Sequence, residues 1–167
     1  MKLKTLKKTP FQIAQLIASN PTVVNLIYND SPSVLTDENV VVEFNSLVTD
    51  GYINFYPATD AGIRDIQRNT FIVINLEDFN LNSTDSNTTA TGAIYITTDK
   101  AHSLLDNNKL RLLELADEIE TALADQKLAS AGQIKMMSMT YVVFSEFRSG
   151  YRISFRLADQ QTRKAEL

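Results

Sequence analysis

Glu114, Asp117, Glu118 and Glu120 stand close together in one short stretch of chain. On a helix, Glu114 and Glu118 share a face at i, i+4, and Asp117 neighbours Glu114 and Glu120 at i, i+3. Paired carboxylates of this kind can hold a divalent cation or trade protons in acid/base work. No second acidic cluster stands opposite them, so a solvated helix face is the plainer reading. His102, the single histidine, sits beside Asp99 and Lys100. Nucleophilic catalysis needs a nucleophile and an orienting acid within reach of the base. No such spacing is visible, and a surface or half-buried structural role is expected for it.

Arg148, Arg152 and Arg156 recur every four residues. On a strand this spacing puts them on one face, each about 13 Å from the next. Such a row suits phosphate contact or ion pairs with an acidic neighbouring subunit. If several copies form a ring, the acidic helix of one can meet the basic strand of the next. The expected interface residues are therefore Arg148, Arg152 and Arg156 on one side and Glu114, Asp117 and Glu118 on the other. The five glycines are widely separated, so neither a P-loop nor a dinucleotide fingerprint can be written. Met136, Met137 and Met139 suit core filling or an adaptable interface better than a cofactor box.

Composition narrows the classes further. The chain has 167 residues, 44% hydrophobic and 22% charged, enough for a sizeable core. A net charge of −4 excludes a wholesale basic nucleic-acid coat, though not a local patch. With no cysteine, disulfide scaffolds, thiolate zinc sites and thiol catalysis are excluded. No catalytic, metal or cofactor constellation is found, so neither an enzyme nor a cofactor is expected. The basic start, Met1 to Lys8, is not followed by an apolar run of signal-peptide length, and no segment nears the roughly 20 residues that cross a bilayer. The expectation is a soluble protein made in the cytoplasm, with no membrane partner.

These side chains need elements to hold them. Residues 1–8, with four lysines, read as a basic arm. Thr9-Pro10 caps a short helix whose buried face is Ile13, Leu16 and Ile17, and Asn20-Pro21 ends it. Thr22 to Tyr28 adds a further helical turn with Val23, Val24, Leu26 and Ile27 buried. Val40, Val42 and Phe44 alternate as a strand, Asp50-Gly51 signals a hairpin, and Tyr52 to Tyr56 reads as the returning strand. Ala58 to Arg68 is a connector with one helical turn at 61–66. Phe71-Ile72-Val73-Ile74-Asn75-Leu76 predicts a strand covered on both faces. Asn80 to Thr91 is a long polar loop, and Ala93 to Thr97 resumes the sheet.

Asp106-Asn107-Asn108 offers a cap for an amphipathic helix from Asn108 to Leu128, with Leu112, Ala116, Ile119 and Leu123 inward and Ala131-Gly132 closing it. Ile134 to Phe147 then reads as a strand, Gly150 as a turn, and Tyr151 to Leu157 as a strand with Tyr151, Ile153, Phe155 and Leu157 inward. The predicted organisation is a basic arm (1–8), one α+β domain (9–159) and a polar tail (160–167). The predicted fold class is α+β, one mixed, mostly antiparallel sheet packed by an amphipathic helix and a short N-terminal helix.

The strands Phe71 to Ile74 and Gly92 to Ile96, the helix Leu110 to Leu128 and the closing hairpin to Leu157 together resemble the tail-terminator (minor tail protein U-like) and neck-completion proteins of tailed bacteriophages. The resemblance spans roughly Asn69 to Asp159 and rests on the order of elements. It implies a structural virion protein of the tail or neck, assembled in the host cytoplasm. Members of that family form rings, commonly hexameric, that cap the tail tube and join it to the head connector, so tail tube and connector or neck proteins are the implied partners. DNA would pass through the lumen without sequence-specific contact. The alternatives are a head-completion (stopper or adaptor) protein, or a small nucleic-acid-binding module using the basic arm and the arginine row.

Overall fold

The computed structural model describes residues 7–55, 63, 66–79, 89–124, 126–128 and 132–158. Helix α1 spans Thr9–Ala18 and buries Ile13, Ala14 and Ile17. Thr9 is its first helical residue and is itself buried, so Lys8, not Thr9, occupies the cap position. Asn20 caps the next helix, α2 (Pro21–Tyr28), its side-chain oxygen accepting from Thr22 N at 3.0 Å. Val23, Val24, Leu26 and Ile27 are buried as expected.

The stretch from Val34 to Tyr56 differs from its expected hairpin. Residues 40–43 pair with no strand, and Val41 is 97% exposed. The reason lies in Asn25, a buried residue of α2. Its side chain donates to Asn39 Oδ1 (2.9 Å) and accepts from Val40 N (2.6 Å), so a side chain takes the place of a ladder. Phe44 then opens a helix, α3 (Phe44–Thr49). Gly51 closes it with φ +80°, Tyr52 N donating to Leu47 O and Gly51 N to Val48 O. That is a helix C-terminal motif that needs a left-handed residue, which glycine supplies without strain. The turn signal at Asp50-Gly51 was therefore real but belongs to a helix end. The strand after it, β1 (Ile53–Asn54), pairs in parallel with the later strand Thr70–Phe79 rather than with an earlier one.

Among the described residues six strands form one mixed sheet in the order β1-β2-β3-β6-β5-β4, and the fold is α+β. The remaining strands are β2 (Thr70–Phe79), β3 (Thr89–Asp99), β4 (Lys127–Leu128), β5 (Gly132–Val143) and β6 (Arg148–Ala158). The β2–β3 pair runs further than expected, to Phe79 opposite Ala90, across a register shift between Leu76 and Asp78. Thr89 to Thr91 are thus strand, and the rest of the polar loop, residues 80–88, lies outside the described residues. Most of the helical turn expected at 61–66 lies there too; Ile63 is helical and buried.

Alternation sorts the sheet into two faces. Ile72 and Ile74 of β2, Ile94 and Ile96 of β3 and Ile153, Phe155 and Leu157 of β6 pack under the helices in the main core. Phe71 and Val73 point the other way and meet Ile63 and Phe144 in a smaller cluster. The prediction that Phe71 to Ile74 would be covered on both faces is met.

Helix α4 runs from Arg111 to Leu123, shorter at both ends than expected. Asn107 and Asn108 make a turn instead of a cap: Lys109 N donates to Asn107 Oδ1, and Asn108 takes φ 60°. The cap position falls to Leu110, with no side-chain bond. After Ala124 the chain turns into β4, and Gly132 (φ 79°) starts β5 rather than closing the helix. The expected inward face holds, with Leu112, Leu115, Ala116, Ile119 and Leu123 buried.

The β5–β6 turn lies at residues 144–147, where Ser145 Oγ accepts from Phe147 N and Arg148 N. Gly150 is not the turn; it sits inside β6 opposite Thr97 and Val142. A Cβ there would lie 2.1 Å from Ile96 O, a backbone atom of the adjacent strand. Gly150→Ala is therefore expected to part β3 from β6, lowering stability by at least about 2 kcal/mol, as overpacked sites do. A urea midpoint unchanged from the parent would show that the two strands are not this close.

Candidate assembly surface

Arg148, Arg152 and Arg156 do share the outer face of β6, but they do different things. Arg148 turns inward. Its Nε donates to Asp99 Oδ1 at 2.7 Å, and its remaining nitrogens donate to the carbonyls of Ile63, Ile66 and Arg68. It pins the connector ahead of β2 to the sheet and is spent within its own chain. Arg152 is half-buried and pairs with Glu77, with Tyr95 Oη between them. Burial opposes its charge, but Tyr95 and Glu77 outweigh it and raise its pKa. Arg156 alone is exposed, opposite Thr91 on β3 and Lys135 on β5. The expected row of three free guanidinium groups is thus one, because carboxylates on the sheet and carbonyls of the connector ahead of β2 capture the other two.

The acidic side chains are divided as well. Glu114 pairs with Lys109 at 2.9 Å, and Glu118 accepts from Asn20 Nδ2 at 2.7 Å, tying α4 to the cap of α2. Asp117 and Glu120 are exposed. Among the described residues no group of three acidic or histidine side chains is arranged to hold a metal ion. His102 is half-buried in a 3₁₀ turn, Lys100–His102, and contributes its carbonyl to Arg111. No helix among the described residues is long and apolar enough to cross a membrane.

The methionines read as core filling or an adaptable interface lie on an uncovered apolar surface whose extent the sequence analysis did not foresee. Inward-facing residues of β5 pair with the inward residues of β6, Met139 opposite Ile153 and Tyr141 opposite Tyr151. Helix α4 does not reach over them. Met139, Tyr141 and Val143 are 48%, 55% and 59% exposed on that face, and Met137, at a register shift, is 61% exposed. Leu113 of α4 and Leu110 ahead of it are exposed across the gap. Between α4 and β5 run two depressions, of about 370 and 220 Å³, both lined by Leu113. The floor of the larger is Met136, Met139 and Ile153, and its rim carries Asp117 and Glu120. Of the described strands only β4 pairs with the outer edge of β5, and it stops at Gln133, leaving residues 135–143 open. A long open edge beside exposed apolar side chains is a surface that associates unless it is covered.

The signal was in the sequence. Met136, Met137, Met139, Tyr141, Val142, Val143 and Phe144 put apolar residues on both faces of a strand, more than a strand with one buried face needs. One further residue gave no usable signal. Arg111 is completely buried at the start of α4 and donates to four backbone carbonyls, those of Leu26, Asn29, Ser31 and His102, at 2.7–2.8 Å. Burial pushes its pKa down and Asp30 pushes it back up.

The order of elements and this surface can be set against known families. The YomW family model matches residues 20–157, from the cap of α2 to the last inward residue of β6. The chain belongs to the YomW family. That family is phage-associated, so this is a phage-related protein. The matched span takes in the sheet up to Leu157, α4 and the groove of this YomW protein, and leaves out α1 and the basic arm. No curated protein matches the chain.

Proposed function

We propose that this YomW protein is a structural subunit of the phage particle, a tail-terminator or neck component that works by assembling with copies of itself into a ring between tail tube and head connector. The observation that carries the reading is the open β5 edge beside an apolar groove rimmed by acid. A subunit in a closed ring covers such a surface on every copy, while a monomer leaves it in water. The phage-related family and the order of strands and helix support the same reading. On it the protein is not an enzyme and needs no cofactor, and DNA crosses the lumen without base-specific contact. The nucleic-acid-module alternative loses ground, because Arg148 and Arg152 are held within the chain.

The test is on particles and on the purified protein. Gold-labelled antibody on particles induced from the lysogen that carries the gene is expected at the head–tail junction. Light scattering across a concentration series, with negative-stain images, is expected to give a discrete ring. Particles without the protein, or label elsewhere on them, would overturn the neck assignment, and a strict monomer at every concentration would overturn self-assembly.

A further inference from the structure

The groove between α4 and β5 has two properties that constrain what fills it. Its floor is apolar, with Met136, Met139 and Ile153 below and Leu113 alongside, and its rim is acidic, with Asp117 and Glu120. Neither carboxylate forms an ion pair among the described residues. A complementary occupant is an extended segment with apolar side chains on one side and cations on the other. This chain carries one. In Met1-Lys2-Leu3-Lys4-Thr5, apolar or small residues alternate with lysines, and Leu6, Lys7 and Lys8 follow. In extended chain, Met1, Leu3 and Thr5 fall on one side and Lys2 and Lys4 on the other. Lys7 and Lys8 form the turn that enters α1, so the six residues ahead of them, 1–6, are the ones free to extend, and six extended residues span about 20 Å. The nine open residues of β5, 135–143, span about 30 Å on the same rise.

We infer that the groove is the docking site for the N-terminal arm, residues 1–6, of a second copy of this chain. Met1 and Leu3 enter the apolar floor, and the lysines face Asp117 and Glu120 at the rim. This rests on the self-assembly reading and names its contact. A subunit that offers its arm to one neighbour and its groove to the other makes a head-to-tail contact, the type that closes into rings. The ion pairs lie at an exposed rim, so the association weakens as salt rises.

The chain has no cysteine, so a pair of introduced thiols reports this contact directly. Leu3→Cys and Met139→Cys proteins, purified separately and mixed under mild oxidation, are expected to give a disulfide-linked dimer containing one of each. Overturning results are a Met139→Cys protein that links to itself faster than to its partner, a doubly substituted chain that closes on itself at dilutions where it is monomeric, or no bond at all. As a second readout, Lys2→Glu together with Lys4→Glu is expected to weaken self-association at least tenfold in sedimentation. Lys at Asp117 and Glu120 in the same protein is expected to restore it. If the arm-reversed protein assembles as well as the parent, the arm contact falls and self-assembly stands. If the parent never assembles, self-assembly itself falls.

Discussion

Arg111→Met is expected to cost about 3–5 kcal/mol of stability, the scale measured when one partner of a buried charged network is removed. The guanidinium is the hub between three parts of the chain. Nε holds the 3₁₀ turn through His102 O, Nη1 holds the end of α2 through Leu26 O and Asn29 O, and Nη2 holds the following loop through Ser31 O. Met fills most of the volume but offers no donor, so four carbonyls lose their partner in a place with little water. For a chain of this size the loss corresponds to a fall in melting temperature of roughly 10 °C. Arg111→Lys is expected to recover less than half. An ammonium has three donors from a single atom, while the four acceptors surround a planar fork. The cost is independent of pH across the usable range, because arginine keeps its charge throughout. Thermal melts of the two variants that matched the parent would show that the loops hold without the clamp.

That clamp also marks where the sequence stops being readable. An arginine at the start of a helix looks like any solvated cation, and only the return of residues 26–31 and 102 to one point makes it a core residue. Arg148 carries the same lesson. Its period-four spacing with Arg152 and Arg156 was correct, and all three share a face. What the spacing could not carry was that residues 63–68 would bring three carbonyls to Arg148 from 80 or more positions away. Long-range backbone acceptors leave no local pattern.

Periodicity was informative wherever burial alone decides the element. Phe71 to Ile74, the inward residues of α4 and the alternation from Tyr151 to Leu157 were all placed correctly, because each needs only its own face and a core to meet. The failures fall where a single residue, through one polar side chain or the lack of any, redirects the backbone. Asn25 binds Val40 N and removes a strand that β-branched residues would otherwise favour. Gly51 ends a helix instead of a hairpin strand, and Gly150 permits close strand contact instead of a turn. The candidate surface falls between these cases. The excess of apolar residues in β5 was visible, but one strand reads the same whether its second face meets a helix or open water.

The position of α4 over the sheet, which leaves that groove open, can be tested at one residue. Ile119→Asp is expected to unfold the protein at neutral pH. Ile119 is completely buried in the main core, on the face of α4 that meets the sheet. Losing the isoleucine costs about 2–5 kcal/mol in transfer and cavity terms. An unpaired carboxylate in its place adds several kcal/mol more. The total reaches the 5–15 kcal/mol that a whole domain has to lose. Ile119→Val, which removes one methylene, is expected to cost about 1 kcal/mol. Asp117→Asn, two residues away on the exposed side, is expected to stay within about 0.5 kcal/mol. The pH dependence has a definite sign. Burial raises the introduced carboxyl's pKa in the folded state above its unfolded value of about 3.9. The folded form then binds the proton more tightly, so the variant is most stable below about pH 4. Its stability falls by roughly 1.4 kcal/mol per pH unit as pH rises toward the folded-state pKa. Circular dichroism melts from pH 3.5 to 7.5 would read this directly. A cooperative, parent-like melt at pH 7 would mean that α4 turns a different face to the sheet. Leu113 would then no longer line the gap to β5, and the groove would lose its wall.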